Sequence, residues 1–375
     1  MLEKISFTNY KLFKRIQTLE IKPITILIGK NSSGKSAIAK LLTLISASLS
    51  GQFSEILRLN NDGVELGSEF SDLIYGKNKL SHLTLNLKNK TDEAELVIGN
   101  QSYSGIRPVI LSYTLNGQDI TNQAFRGFVP QGNFSFPLKL DTEYIGPFRK
   151  IPERWYAQPQ ALGANDKVGI EGEHAYKMLI ADAITTQKRL IHEVSDVYRN
   201  YFEGWGLQVN QNNAPPYQIE LFQNGVNINI KDVGQGMSQA LPLVVRALQP
   251  ISNTRLIIVE QPELHLHPAA HGNLAQLFVE STQKDPNKHY LIETHAQNFV
   301  LRVRRLIAEG RLDPQNVALY FVDFDENTRE SNLKQIQIDN LGRVDYWPRN
   351  VFSETLDETI AIRDAQLSIS NPNNP

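Results

Sequence analysis

Ile24-Thr25-Ile26-Leu27-Ile28-Gly29-Lys30-Asn31-Ser32-Ser33-Gly34-Lys35-Ser36 is the stretch whose reading decides the fold. Its first five residues are a short apolar run closed by glycine, the pattern of a buried strand. After it, Ile38, Leu41, Leu42, Ile45 and Leu49 recur at helical spacing. Between strand and helix, Gly29–Ser36 fits G-x-x-x-x-G-K-[ST]. In such a loop the backbone N–H groups over Gly29, Lys30, Asn31, Ser32, Ser33 and Gly34, with the N-terminus of the helix, cradle nucleotide phosphates. Lys35 reaches the β- and γ-phosphates and the Ser36 hydroxyl ligates Mg²⁺. A chance Gly/Ser turn has the same letters, but it does not sit between a buried strand and an apolar-striped helix. The expected cofactors are ATP and Mg²⁺.

Further along, Leu256-Ile257-Ile258-Val259-Glu260 is an apolar strand ending in an acid. An acid so placed presents its carboxylate to Mg²⁺ and its water, which makes Glu260 the second candidate metal ligand beside Ser36. A generic buried strand with a polar end reads the same way in isolation. A helix at Leu241–Leu248, strands at Tyr290–Ile292 and Val317–Val322 and the helices between them alternate with it, which argues a mostly parallel α/β sheet. Between the two halves, short segments such as His82–Leu87 and Glu95–Ile98 are punctuated by Gly, Asn and Ser and read as a β-rich lobe. Tyr144–Pro152 reads as a Pro/Gly-bounded connector, Glu173–Phe202 as an amphipathic helical stretch broken once, and Tyr217–Ile230 as a hairpin turning at Asn224-Gly225.

Composition bounds the partners. Of 375 residues, 41% are hydrophobic and 21% charged, enough for a sizeable core without staples. Lys and Arg number 38 against 40 Asp and Glu, so no net field draws the chain to nucleic acid or anionic lipid. Cysteine is absent, which excludes thiol catalysis, disulfides and cysteine zinc sites and fits a reducing cytosol. No apolar run approaches the roughly 18 residues of a membrane span, and the charged N-terminal stretch is no signal peptide. A cytoplasmic location without membrane contact is the expectation.

Three further pieces stand in a telling order. Asp232-Val233-Gly234-Gln235-Gly236-Met237-Ser238-Gln239 precedes the Glu260 strand, Glu260-Gln261-Pro262-Glu263-Leu264-His265-Leu266-His267-Pro268 continues it, and Glu293-Thr294-His295 ends the next. With the P-loop, these resemble the signature loop, the extended Walker B and D-loop, and the switch histidine of ABC-type ATPase heads of the SMC, RecF and OLD-like group. More narrowly, N-S-S-G-K-S, Y-x-G-P-x-R, D-V-G-x-G-x-S-Q-x-L-P and E-Q-P-E-x-H-L-H-P together resemble a family of stand-alone bacterial AAA ATPases with a short C-terminal domain of unknown function. Members are often linked to anti-phage defence.

The resemblance implies an α/β P-loop NTPase of ABC/SMC-head type with a β-rich insertion lobe and a helical lobe. Residues 1–50 and 217–322 form the ATPase core, 51–140 the β-rich lobe, 141–216 the connector and helical lobe, 323–369 a C-terminal segment, and 370–375 a disordered tail. It implies a homodimer or higher homo-oligomer in which ATP is held between the P-loop of one head and Gly234, Gln235, Gly236 and Ser238 of another. Gly234 and Gly236 would let backbone approach the γ-phosphate. This chain departs from the pattern twice. Gly234 replaces the usual serine, with Ser238 as the candidate substitute, and Gln261 stands where the hydrolytic glutamate belongs. An amide orients water but takes its proton poorly. Either Glu263 serves as base or hydrolysis is slow, and His295 senses the γ-phosphate.

The implied function is a slow, dimeric, nucleotide-gated ATPase switch that controls a protein effector from an adjacent gene, in bacterial defence. The alternative is a RecF-like repair or recombination head acting directly on DNA, so nucleic acid stays open as a partner. A transporter subunit fits worst. Other features read more plainly as structure: His265, His267 and His271 as part of the D-loop rather than a zinc site, Asp323 and Asp325 as a solvated strand end rather than a nuclease pair, and Arg302, Arg304, Arg305 and Arg311 as a solvated helix face. Arg149 reads either as a contact to nucleotide or the opposite head, or as a brace for a loop.

Overall fold

A computed structural model of the protein describes residues 1–100, 107–132, 135–159, 166–212, 215–348, 351–352 and 354–370. Strands β1 (Lys4–Thr8), β2 (Gln17–Glu20) and β3 (Ile24–Gly29) precede helix α1 (Lys35–Leu49). A small ribbon, β4 (Asn60–Asn61) and β5 (Val64–Glu65), leads to β6 (Leu83–Lys88), β7 (Glu93–Asn100), β8 (Pro108–Leu115) and β9 (Gln118–Asp119). A second ribbon, β10 (Phe125–Arg126) and β11 (Val129–Pro130), is followed by β12 (Thr142–Ile145) and helices α2 (Ala175–Ala183) and α3 (Arg189–Tyr201). Then come β13 (Gly206–Asn210), β14 (Gln218–Gln223) and β15 (Val226–Asn229). The rest alternates: α4 (Gln235–Leu248), β16 (Arg255–Glu260), α5 (Pro268–Lys284), β17 (Lys288–Glu293), α6 (Gln297–Ala308), β18 (Val317–Asp325), β19 (Glu330–Ile336) and α7 (Glu354–Ser370).

The central sheet has the order β12-β16-β17-β3-β18-β19. Its first five strands are parallel and β19 returns antiparallel to β18. Strands β3 and β16 are buried at every position, as expected where both faces of a parallel sheet are covered. One face, with Leu27, Leu256, Ile258 and Leu291, packs on Ile38, Leu41, Leu42 and Ile45 of α1. The other, with Ile26, Ile257, Val259 and Ile292, packs on α2 to α6. The α/β architecture read from the sequence is the one observed.

Five details differ from the sequence reading. A boundary after residue 50 cuts through a sheet, because β1 and β2 pair with β6 to β9 in an antiparallel layer of order β2-β1-β6-β7-β8-β9. The connector at Tyr144 begins inside a strand: β12 runs beside β16, with Tyr144 opposite Ile258. Its polar letters conceal it, since Glu143 is buried there against Arg246. Helix α4 starts at Gln235 rather than Leu241, with Gly236 and Pro242 inside it. Beyond Val322, β18 continues to Asp325, whose carboxylate accepts from the Asn327 and Thr328 backbone N–H groups to turn the chain into β19. The expected tail at 370–375 starts on the last residue of α7, and 371–375 lie outside the described residues.

The helical stretch is broken once, between α2 and α3, and Asn224 and Gly225 turn the β14–β15 hairpin with φ of 50° and 82°. Among the described residues no helix is long and apolar enough to cross a membrane.

Candidate functional site: the carboxyl edge of the central sheet

Parallel strands end together, so β3, β16 and β17 deliver Gly29, Glu260 and Glu293 to one edge. Glu260 is the in-register partner of Glu293, and Glu293 of Leu27. Side chains alternate along a strand. Glu260 therefore follows Leu256 and Ile258, and Glu293 follows Leu291, on the face covered by α1. The P-loop closes over this edge. Gly34 caps α1 with φ of 107°, a left-handed value that favours glycine, and a Cβ there would lie 2.9 Å from the Phe13 ring. No side chain caps α1, so its first N–H groups stay open to an anion. Ser331 Oγ, from β19, donates to Ser33 O at 2.7 Å and holds the loop from behind. The Ser33 hydroxyl itself is buried without a partner.

Lys35 is buried. Its ammonium donates to Gly29 O at 3.0 Å and Lys30 O at 2.8 Å and lies 3.9 Å from Glu293 Oε1. Burial pulls its pKa below the usual lysine value, while Glu293, Glu260 and Glu263 push the other way. Ser36 Oγ donates to Glu293 Oε2 at 2.8 Å. The Tyr144 hydroxyl donates to Glu260 Oε1, and burial together with that carboxylate keeps the phenol protonated. Glu293 has its pKa pushed up to about 7, by burial first and then by the like charge of Glu260; the Ser36 hydrogen bond and Lys35 only partly offset this. Lys30, Asn31 and Ser32 are exposed at the rim of the loop.

Past Glu260 the chain enters a pinned turn. Gln261 has φ of 43°; its N–H donates to Glu293 O at 2.8 Å, and its carbonyl accepts from Arg149 at 2.7 Å. Arg149 is buried and also reaches Glu260 O at 3.3 Å. Burial lowers its pKa to about 10. Of the two readings of Arg149, the brace describes its contacts. Glu263 accepts from the Thr294 hydroxyl at 2.8 Å and the His295 N–H at 2.6 Å, so both its oxygens hold the loop after β17. His295 is half-buried, and burial followed by the nearby Lys35 lowers its pKa to about 4. It is therefore neutral at pH 7.

The structure thus gathers Gly29–Ser36, Glu260, Glu263 and His295. Among the described residues no hydrogen bond or ion pair joins Gly234–Ser238 to the P-loop. Gly234 is exposed with open space beside it, whereas a Cβ on Gly236 would lie 2.5 Å from His265 O. Gly236 lets α4 pack on the loop after β16, and its bare side is not turned to a ligand. Ser238 is also unsuited to replace the missing serine: it is buried, and its hydroxyl donates back to Gln235 O at 3.1 Å. Exposed at this helix start are Asp232, Gly234 and Gln235.

The remaining polar clusters are structural. His267 Nδ1 accepts from Ala269 N–H and caps α5, and a His271 ring nitrogen lies 3.1 Å from Leu266 O. Arg302 donates to Asn273 and Gln276, Arg304 to Gly342 O, and Arg305 and Arg311 pair with Glu309. Sequence reasoning missed Tyr144 and Glu293. The signal for Glu293 was present: an apolar strand ending in an acid, the same pattern that singled out Glu260.

Solved structures of similar fold include heads of SMC proteins. An SMC head bound to the C-winged helix domain of ScpA superposes with a TM-score of 0.51 at 14% identity, covering 90% of this chain and 98% of that one. The SMC head domain from Thermotoga maritima gives 0.46 at 13% identity, covering 90% and 99%. The Pyrococcus furiosus Smc head with an extended coiled coil gives 0.49 at 13%, covering 96% and 99%. No protein of curated function matches the chain. Residues 312–361 match the family "Protein of unknown function (DUF3696)". Residues 24–301, which carry the P-loop, both acidic strands and His295, match the family described as "AAA domain, putative AbiEii toxin, Type IV TA system", and the chain belongs to it.

Proposed function

We propose that the protein binds ATP with Mg²⁺ at Gly29–Ser36 and hydrolyses it slowly, acting as a dimeric switch whose nucleotide state controls a protein effector. The observation that carries this is the meeting of Lys35 and Ser36 with Glu293 and Glu260 at the ends of neighbouring strands. The donors there are all oxygen and carry excess negative charge, which suits a hard divalent cation. Ser36 and Glu260 would hold Mg²⁺, and the ion would supply charge neutralisation at the β- and γ-phosphates. Lys35 exchanges its two carbonyl acceptors for phosphate oxygens. Neutral His295 offers a hydrogen bond at the γ-phosphate. Gln261 orients water without taking its proton, which makes turnover slow.

The open start of α4, with Gly234 and Gln235 exposed, supports a second head docking there. Self-complementary pairing of two heads gives a closed dimer. Membership of a family described by toxin–antitoxin function supports a role in defence with a protein partner. Calorimetry of Lys35→Ala tests the core of this reading: ATP binding is expected to vanish, and unchanged affinity would overturn it. Light scattering with ATP and Mg²⁺ tests the dimer, since a monomer at micromolar concentration contradicts the sandwich.

A further inference from the structure

We propose that Glu293 is a second carboxylate of the divalent-cation site, sharing the cation with Ser36 and Glu260. The inference rests on the ATP-binding reading above and extends it to a residue outside the Walker-type assignment.

Three observations lead to it. First, the candidate metal-ligating hydroxyl, Ser36 Oγ, bonds to Glu293 at 2.8 Å and not to Glu260. Second, Glu260 and Glu293 are in-register neighbours whose side chains leave the sheet on the α1 face, so the two carboxylates lie about one strand spacing, ~4.8 Å, apart at the backbone. Glu260 already accepts the Tyr144 hydroxyl on one oxygen, whereas the protein donors to Glu293 are Ser36 and the longer Lys35 pair. Third, Glu263, the remaining acid, has both oxygens on Thr294 and His295.

The charge balance points the same way. Lys35 lies between its loop carbonyls and Glu293. When Lys35 turns to the phosphates, Glu293 loses its counter-charge and meets the anionic end of ATP. A buried carboxylate beside a triphosphate is strongly unfavourable unless a cation stands between them. A bound cation reverses the sign: both carboxylates and the phosphate oxygens then become ligands of one charge. A purely structural role for Glu293, holding Ser36 and Lys35 in place, predicts instead that nucleotide binding without metal depends on it.

The test uses full-length protein, Mn²⁺ as the metal probe followed by electron paramagnetic resonance, and a fluorescent ATP analogue with and without EDTA. In Glu293→Gln, Mn²⁺ binding in the nucleotide complex is expected to weaken about tenfold or more. Analogue binding in EDTA should be retained or tightened, because a negative charge near the phosphates is gone. Ser36→Ala should give the same signature, and Glu293→Asp, which keeps the charge, should hold Mn²⁺ better than the amide. Mn²⁺ affinity equal to wild type in Glu293→Gln overturns the proposal, as does a loss of analogue binding in EDTA that matches the loss with Mn²⁺. Failure of the wild type to bind the analogue under either condition would instead remove the ATP reading, and this one with it.

Discussion

The central sheet carries a cluster of buried charge at each end, and the two are built on opposite plans. At the amino edge, Glu143 and Arg246 are each 1% exposed in their side chains and pair at 3.4 Å. Arg255 reaches Asp141 at 2.7 Å and Asp166 at 3.0 Å, and Lys288 donates to Ala247 O at 2.7 Å. Positive and negative groups alternate, and the carbonyls of Asp166, Gln249 and Ala247 take further donors, while Arg246 Nε and Arg255 Nη1 are buried without a hydrogen-bond acceptor. At the carboxyl edge, Glu260 and Glu293 stand side by side and Glu263 lies close, with Lys35 beside Glu293 and Arg149 on the carbonyls of Glu260 and Gln261. Burial raises Glu143 and Glu293 alike. At Glu143 two arginines and the Val168 N–H oppose the rise, whereas at Glu293 a second carboxylate adds to it. The charges of the first cluster are paired within the chain. The second carries an excess of negative charge, which under the proposed function a cation and a nucleotide would complete. Charge compensation, more than burial, separates the two ends of the sheet.

The largest expected effect breaks the complete end. Arg246→Ala leaves Glu143 buried beside a cavity with its closest guanidinium gone, and removal of one partner of a buried pair costs about 3–5 kcal/mol. Urea unfolding should show that loss. The double change Glu143→Leu with Arg246→Met should recover most of it, since apolar replacement of both partners is near neutral. If the double variant is no better than the single one, the amino edge is not the self-sufficient pair described above.

A smaller effect comes from pH at the other end, measured in EDTA. The Glu293 carboxyl titrates near 7 when folded, above its usual 4.5. A raised carboxyl pKa means the folded state holds the proton longer than the unfolded state. Stability from this group is therefore fully present below pH 4.5, falls as pH rises, and is fully lost above pH 7. The span corresponds to at most about 3 kcal/mol. Comparing wild type with Glu293→Gln isolates it: the variant should gain on the wild type as pH rises through that window. A difference independent of pH would mean that Glu293 is not under repulsion.

Much of this was legible in the sequence where structure is local. The β3–loop–α1 unit, the acidic end of β16, the Asn224-Gly225 turn and the break between α2 and α3 each show in a single contiguous stretch of sequence. What escaped depends on distant partners. Strand β12 hides because Glu143 looks like a surface acid until Arg246 and Arg255 arrive to pair with it. The β1–β6 pairing joins segments that no local pattern links. The start of α4 was obscured by Gly236, whose reason is the carbonyl of His265. At the site, Lys35, Ser36, Glu260 and His295 were named from motif and position, and the structure places them together. Glu293 was quoted only as the first residue of Glu293-Thr294-His295, read for its histidine. The period-two alternation that puts Leu291 on the α1 face also puts Glu293 there.

The smallest expected effect sharpens the comparison at Gln261. Its backbone is held on both sides, by Glu293 O on its N–H and by Arg149 and the Leu264 N–H on its carbonyl. Gln261→Glu should therefore change chemistry without moving the turn. It supplies a proton acceptor where the amide has none, which by itself favours turnover. It also adds a negative charge to an edge that already holds Glu260, Glu263 and Glu293, which opposes phosphate binding when the cation is scarce. With saturating Mg²⁺ the first effect should win, and steady-state phosphate release should rise by about tenfold or less, or stay level. At low Mg²⁺ the variant should fall behind the wild type, because its edge needs the cation more. A drop in turnover at saturating Mg²⁺, with ATP binding intact, would mean that the Gln261 amide positions the attacking water better than a carboxylate can, and that this edge already carries all the negative charge it can use.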